Sequence, residues 1–213
     1  MTPLFLDAHL LVVEKPAGLL AVPGRGADKQ DCLVTRLRDL WPDVLTVHRL
    51  DMATSGVMVF ARDAATQAAL GRQFAERRVY KRYVALVDGR LEQDEHGLDD
   101  EGWSLIELPL IANWPHRPKQ KVDAASGKPS ATRWRVMGHE NRATRVALQP
   151  LTGRTHQLRV HLLALGHAIV GDALYADAAV AARSPRLLLH ARTLALAHPV
   201  TAEPLRIDSP APF

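Results

Sequence analysis

Between Val47 and Asp63 the chain reads VHRLDMATSGVMVFARD, and Asp51 is its one acidic residue before Asp63 itself. A carboxylate without an acidic neighbour has no partner with which to share a proton, so it suits work as an ionised nucleophile or base. Ala53, Thr54, Ser55 and Gly56 follow it and are small, leaving room for a ligand to approach, while His48 and Arg49 precede it. An aspartate at such a corner also commonly serves as a turn-maker, bonding nearby backbone N–H groups. Its isolation and the small residues beyond it favour the reactive reading.

A second constellation is TGRTHQLRVH, Thr152 to His161. A helix starting near Thr155 puts Gln157 and His161 on one face, with Leu158, Leu162 and Leu165 as its buried stripe. Arg154 then stands at a loop-to-helix entrance, where unpaired N–H groups and the positive helix end favour an anion. An ordinary amphipathic helix with a solvated basic face has the same periodicity. His156 and His161 are five apart with no cysteine or acidic cluster beside them, which argues against a metal site. Thr54-Ser55-Gly56 is not a hydrolase elbow, and GRGADK is too short for a phosphate-binding loop.

Basic residues recur among aromatics. Arg72, Arg77, Arg78, Lys81 and Arg82 are interleaved with Phe74, Tyr80 and Tyr83; Arg117, Lys119, Lys121, Lys128, Arg133 and Arg135 stand beside Trp114 and Trp134. Cations for phosphates and rings for bases are the composition of a nucleic-acid surface, although charge runs are more often plain solvated faces.

The elements that must position these residues follow from periodicity and turn chemistry. Leu10–Val13 is a short apolar run ending in the loop EKPAGLLAVPGRG, and 31–41 predicts a helix capped by Asp31. The 47–63 stretch predicts strand, turn and strand, the second strand being Val57–Phe60, and Asp63 caps a following helix. VYKRYVALVDG predicts a strand ending in an Asp88-Gly89 turn. Further strands are expected at Leu105–Ile111, Ala131–Met137, Thr144–Gln149, Leu187–His190 and Leu194–His198, with a helix over 152–166. Strands outnumber helices and several are joined by short turns, so the fold class is α+β.

Composition bounds the rest. The chain has 213 residues, 27 of them basic and 23 acidic. Six acids and no Lys or Arg lie in 92–101, which predicts a solvated acidic loop and leaves the remainder more basic. Cys32 is the only cysteine, which excludes an intramolecular disulfide and fits a reducing compartment. No run reaches the roughly 20 apolar residues of a membrane span.

HRLDMATSG resembles the H-R-L-D-x-x-T-S-G signature of the RluA family of RNA pseudouridine synthases. EKPAGL, KRYVALV at 81–87, LTGRTHQLRVHLLALGHAIVGDALY at 151–175 and RLLLHARTLALAHP agree in order, so the resemblance runs from about residue 10 to residue 199. GLLAVPGR, NWPHRPKQKV and SGKP are similar to the short subgroup that acts on both 23S rRNA and tRNA. The resemblance implies a pseudouridine synthase fold: a mixed, largely antiparallel sheet flanked by helices, with a catalytic cleft across it. It implies one catalytic domain over 1–213 without an N-terminal S4-type domain.

The activity implied is isomerisation of uridine in RNA, with no metal or other cofactor. Asp51 matches the family's catalytic aspartate, Tyr83 the tyrosine on the uracil ring, Arg154 the arginine paired with the aspartate, and Leu189 the late apolar position. Arg49 fits the signature's arginine; His48, Thr54, Arg77, Arg78, Lys119 and Lys121 complete the expected RNA contacts. A cytoplasmic monomer that binds 23S rRNA and tRNA stem-loops, and no membrane, is expected. A nucleoside or base glycosidase and a non-catalytic RNA-binding module are the rival readings: the first would release free base, the second would tolerate loss of Asp51.

Overall fold

The computed structural model describes residues 2–213. In chain order its strands are β1 (Phe5–Leu6), β2 (Leu10–Lys15), β3 (Leu45–Thr46), β4 (Ser55–Ala61), β5 (Tyr80–Asp88), β6 (Ser104–Glu107), β7 (Leu110–Ala112), β8 (Gln120–Val122), β9 (Ala131–Glu140), β10 (Ala143–Pro150), β11 (Leu189–Ala197) and β12 (Pro204–Asp208). The helices are α1 (Leu33–Arg38), α2 (Ala64–Ala75), α3 (Gln157–Ala164) and α4 (Ala178–Ala181). β4 pairs parallel with β11, whereas β1–β2, β2–β4, β3–β4, β5–β10, β9–β10, β6–β9, β7–β8 and β11–β12 are antiparallel, so the α+β expectation holds. The residues form two compact units, one running to Lys81 and resuming over His190–Pro212, the other Arg82–Leu189 with Phe213.

In the first unit β4 is central. Every one of its seven residues is buried, as expected of a strand covered on both faces. β2 pairs with it antiparallel, Val12 opposite Val59 and Val13 opposite Met58, and β11 pairs with it parallel, His190 opposite Ser55. β12 extends β11. One face of this sheet joins Leu10, Val12, Val57, Val59, Leu194 and Leu196 with Leu70 of α2 in a single apolar cluster. Asp63 caps α2 as predicted, its carboxylate accepting the Thr66 N–H at 2.7 Å. α1 is shorter than predicted. Cys32, not Asp31, holds its N-cap position without a side-chain cap, and the Asp31 carboxylate instead accepts from the Arg36 guanidinium at 2.7 Å.

In the second unit β5, β10, β9 and β6 form an antiparallel set, with Val146, Ala147 and Leu148 of β10 fully buried. The predicted strand Leu105–Ile111 is two strands: β6 pairs with β9, while β7 forms a separate hairpin with β8. Pro109 lies at the break and has no N–H to offer a continuous ladder. The two late strands expected from sequence are instead the one strand β11, which runs through Arg192 and Thr193 without a turn. The acidic loop is exposed, but Asp99 and Glu101 fold onto Arg133; the Glu95 side chain lies outside the described residues.

Candidate active site

Asp51 sits at the corner ahead of β4, and the corner is held from beneath. Lys15, at the end of β2, is fully buried, and its ammonium donates to the carbonyls of Leu19 at 2.7 Å, Pro16 at 2.8 Å and Met52 at 3.0 Å. The Gly18 N–H reaches the same Met52 carbonyl at 2.9 Å, and the Thr54 N–H closes the turn on the Asp51 carbonyl at 3.0 Å. Leu50 is buried, whereas Arg49 and Met52 are exposed and Asp51 is intermediate. The small residues then go inward. Thr54, expected among the RNA contacts, is 3 % exposed and lies under the corner.

Ser55 continues this foundation. Its hydroxyl lies 2.8 Å from His190 Nδ1, and His190 Nε2 lies 3.1 Å from the Ser209 carbonyl. A carbonyl only accepts, so Nε2 carries the ring proton and Nδ1 accepts the Ser55 O–H. The Ser209 hydroxyl in turn bonds Glu14. Gly56 has φ +119°, and a Cβ there would lie 2.3 Å from the Ala191 carbonyl oxygen. Only glycine lets β11 approach so closely.

His48 is committed to the protein. Its Nε2 accepts the Val59 N–H at 3.1 Å and its ring stacks on Phe74, centroids 4.6 Å apart. Burial, with the Lys81 charge behind it, pushes the imidazole down to about 4, so the ring is neutral at physiological pH. The stack seats the corner's entry on the last turn of α2, just ahead of Arg77 and Arg78. Both are exposed; Arg77 has φ +57° and Arg78 pairs with Glu76 at 2.5 Å.

The remaining expected residues belong to the second unit. Tyr83 is half-buried on β5 opposite Leu148. Leu189 begins β11 and is 3 % exposed. Arg154 is exposed; its Nε donates to the Pro129 carbonyl at 3.2 Å, and its backbone N–H to Gln157 Oε1 at 3.0 Å. Gln157 is therefore not on a solvated face. It also takes the Thr152 hydroxyl at 2.7 Å and donates to Ala131 and Thr132 at 2.9 Å, stapling the arginine loop to β9. His161 is likewise buried, between Ser130 and Thr132 at 3.0 Å each, and burial lowers its pKa. Lys119 lies in the β7–β8 loop, and Lys121 pairs with Asp123 at 2.8 Å.

Sequence reasoning missed Lys15 and the His190–Ser209 pair as supports of the corner. A lysine closing an apolar strand was the available signal for the first. Among the described residues, no three or more His, Cys, Asp or Glu side chains are grouped to hold a metal ion, and no helix is long and apolar enough to cross a membrane.

Residues 9–164 match the family model described as RNA pseudouridylate synthase. The chain belongs to the RNA pseudouridylate synthase family. It is 47% identical to the dual-specificity RNA pseudouridine synthase RluA of Yersinia pestis over the whole of both chains. It is 48% identical to the RluA of Escherichia coli K12 over 99% of this chain and 93% of that one. Among solved structures, human RNA pseudouridylate synthase domain containing 1 has a TM-score of 0.79 at 32% identity, covering 98% of this chain and 82% of that one. The pseudouridine synthase fold and the RluA-type identity read from the signature therefore stand, and the enzyme is an isomerase that converts uridine in RNA to pseudouridine. The Asp51 corner carries a half-buried carboxylate above a buried hydrogen-bonded lysine, with the exposed Arg49 two residues before it.

Proposed function

We propose that this enzyme modifies a uridine in a 23S rRNA hairpin loop and another in a tRNA anticodon stem-loop, in the cytoplasm, with Asp51 acting on the ribose of a flipped-out nucleotide. The likeness, at 47–48% identity, to relatives named dual-specificity synthases carries the choice of substrates. The buttressed Asp51 corner supports the choice of catalytic group.

The reaction breaks C1′–N1, turns the uracil over, and joins C1′ to C5; the C5 proton leaves to solvent and N1 takes one up. As the base departs, C1′ becomes oxocarbenium-like, and a fixed carboxylate stabilises or attacks it. Removal of the C2′ proton by the same carboxylate is the other route compatible with these groups. The freed uracil must stay bound while it turns, a task for the flat ring of Tyr83 and the aliphatic Leu189. Arg154 is the group to orient the carboxylate and keep it ionised. A stacked uridine is out of reach, so the nucleotide must leave the helix, and exposed Arg49 is the group to brace the space it vacates.

Incubating transcripts of both RNAs with the protein, followed by nucleoside digestion and mass spectrometry, tests this reading. Pseudouridine should appear at one position in each, with RNA mass unchanged and no free uracil. Absence of pseudouridine from both transcripts would refute the assignment.

A further inference from the structure

The most exposed large aromatic side chain among the described residues is Trp114, at 65 %. It lies in the loop of the β7–β8 hairpin, and the Arg117 guanidinium covers one face of its indole, 3.4 Å from the ring centroid. An indole that far exposed, with a cation on one face, keeps the other face open. The loop around it is basic, with Arg117 and Lys119 and no acid between Glu107 and Asp123. A solvated tryptophan contributes nothing to a core, while an open π-face flanked by cations is what unpaired bases stack on.

The loop is also held in register with the arginine loop. The Asn113 N–H bonds the Lys119 carbonyl at 2.9 Å across the hairpin end, and the Gln120 N–H donates to the Tyr175 hydroxyl at 2.7 Å. That hydroxyl lies 2.7 Å from His156 Nδ1, two residues past Arg154. Tyr175 is itself fixed from below: the Asp172 carboxylate accepts its N–H at 3.1 Å, and the Arg159 guanidinium lies 4.9 Å from its ring centroid. Arg159 and Asp172 form a buried bidentate pair at 2.8 and 2.6 Å. Indole, hairpin and arginine loop are thus parts of one hydrogen-bonded assembly within the second unit.

From this geometry we infer that Trp114 is a stacking platform for an unpaired base of the substrate RNA loop, braced by Arg117 and set at a fixed distance from the Arg154 loop. The inference rests on the RNA reading above and extends it to a residue that recognises the loop around the target. Because Arg117 already restrains the indole, little side-chain freedom is lost when a base lands on it. Specificity would arise from where the platform demands an unpaired base, not from hydrogen bonds to its edges.

The test is binding of a loop-containing stem-loop RNA by Trp114→Ala, Trp114→Phe and the unaltered protein, with intrinsic fluorescence as a second readout. Trp114→Ala should weaken binding by about tenfold or more, and Trp114→Phe should recover most of it. RNA should quench the unaltered protein, and the quench should vanish in Trp114→Phe although that variant still binds. A fully paired duplex of the same length should bind the unaltered and Trp114→Ala proteins equally. Unchanged stem-loop affinity in Trp114→Ala would overturn the inference. So would sedimentation showing that Trp114 joins two copies of this chain and leaves RNA affinity untouched. If the RNA is bound and quenches Trp114 but acquires no pseudouridine, the substrate reading fails while the platform stands.

Discussion

The ammonium of Lys15 lies 3.0 Å from the carbonyl oxygen of Met52, the residue that follows Asp51. The end of β2 therefore fixes the peptide that carries the carboxylate, using a charge buried at 0 % exposure. Lys15→Met matches the side chain in length but removes the donor, leaving the Pro16, Leu19 and Met52 carbonyls without it. Loss of a buried charged donor predicts about 3 kcal/mol of destabilisation. Denaturant unfolding measures that loss, and pseudouridine formation should fall further than the unfolded fraction explains, because the corner loses its anchor.

Gly56 gives a sharper steric expectation. A methyl group there meets the Ala191 backbone at 2.3 Å and must adopt φ +119°. Gly56→Ala should destabilise by about 3 kcal/mol or more. Thermal melting reads this directly, and a melting temperature equal to that of the unaltered protein would mean that β11 does not approach β4 so closely.

His48 predicts a pH dependence. Its imidazole falls from 6.5 to about 4 on folding, so the unfolded chain binds the extra proton at intermediate pH. Stability from this group is complete above about pH 6.5 and is lost as pH falls toward 4, about 2 kcal/mol by pH 4.5. His161 acts in the same direction. His48→Gln keeps an acceptor for the Val59 N–H but does not titrate, so its urea midpoint should change less between pH 7.5 and 5 than that of the unaltered protein.

Arg49 is exposed beside a buttressed Asp51, as a group that enters RNA would be. Arg49→Ala should lower turnover on a folded stem-loop by tenfold or more, on the order of a lost charged contact, and should reduce the slope of log affinity against log salt. Full turnover and an unchanged slope would remove Arg49 from the flipping step.

These expectations differ in how far sequence alone supported them. The Asp63 cap was legible because it acts through Thr66, three positions away. Ser55 and Gly56 were read only as small residues leaving room for a ligand, whereas both are buried and serve His190 and Ala191, far along the chain. The protein contacts of His48 and the burial of Gln157 and His161 were not legible. Each is polar and reads as a surface residue until a partner distant in sequence, Val59, Ala131 or Ser130, satisfies it. The break at Pro109 could have been read from its missing N–H, yet the apolar residues on both sides suggested one strand. Lys15 and His190 became visible only when β2 and β11 were laid against β4, a register that no local pattern encodes.

The central claim is that the oxygen atoms of Asp51 do chemistry at the sugar. Asp51→Asn preserves size and changes only charge and basicity, and tritium release from C5-labelled uridine RNA follows the reaction directly. The variant should bind the stem-loop with near-normal affinity and release no tritium above background. Release at the normal rate by correctly folded Asp51→Asn would contradict the account.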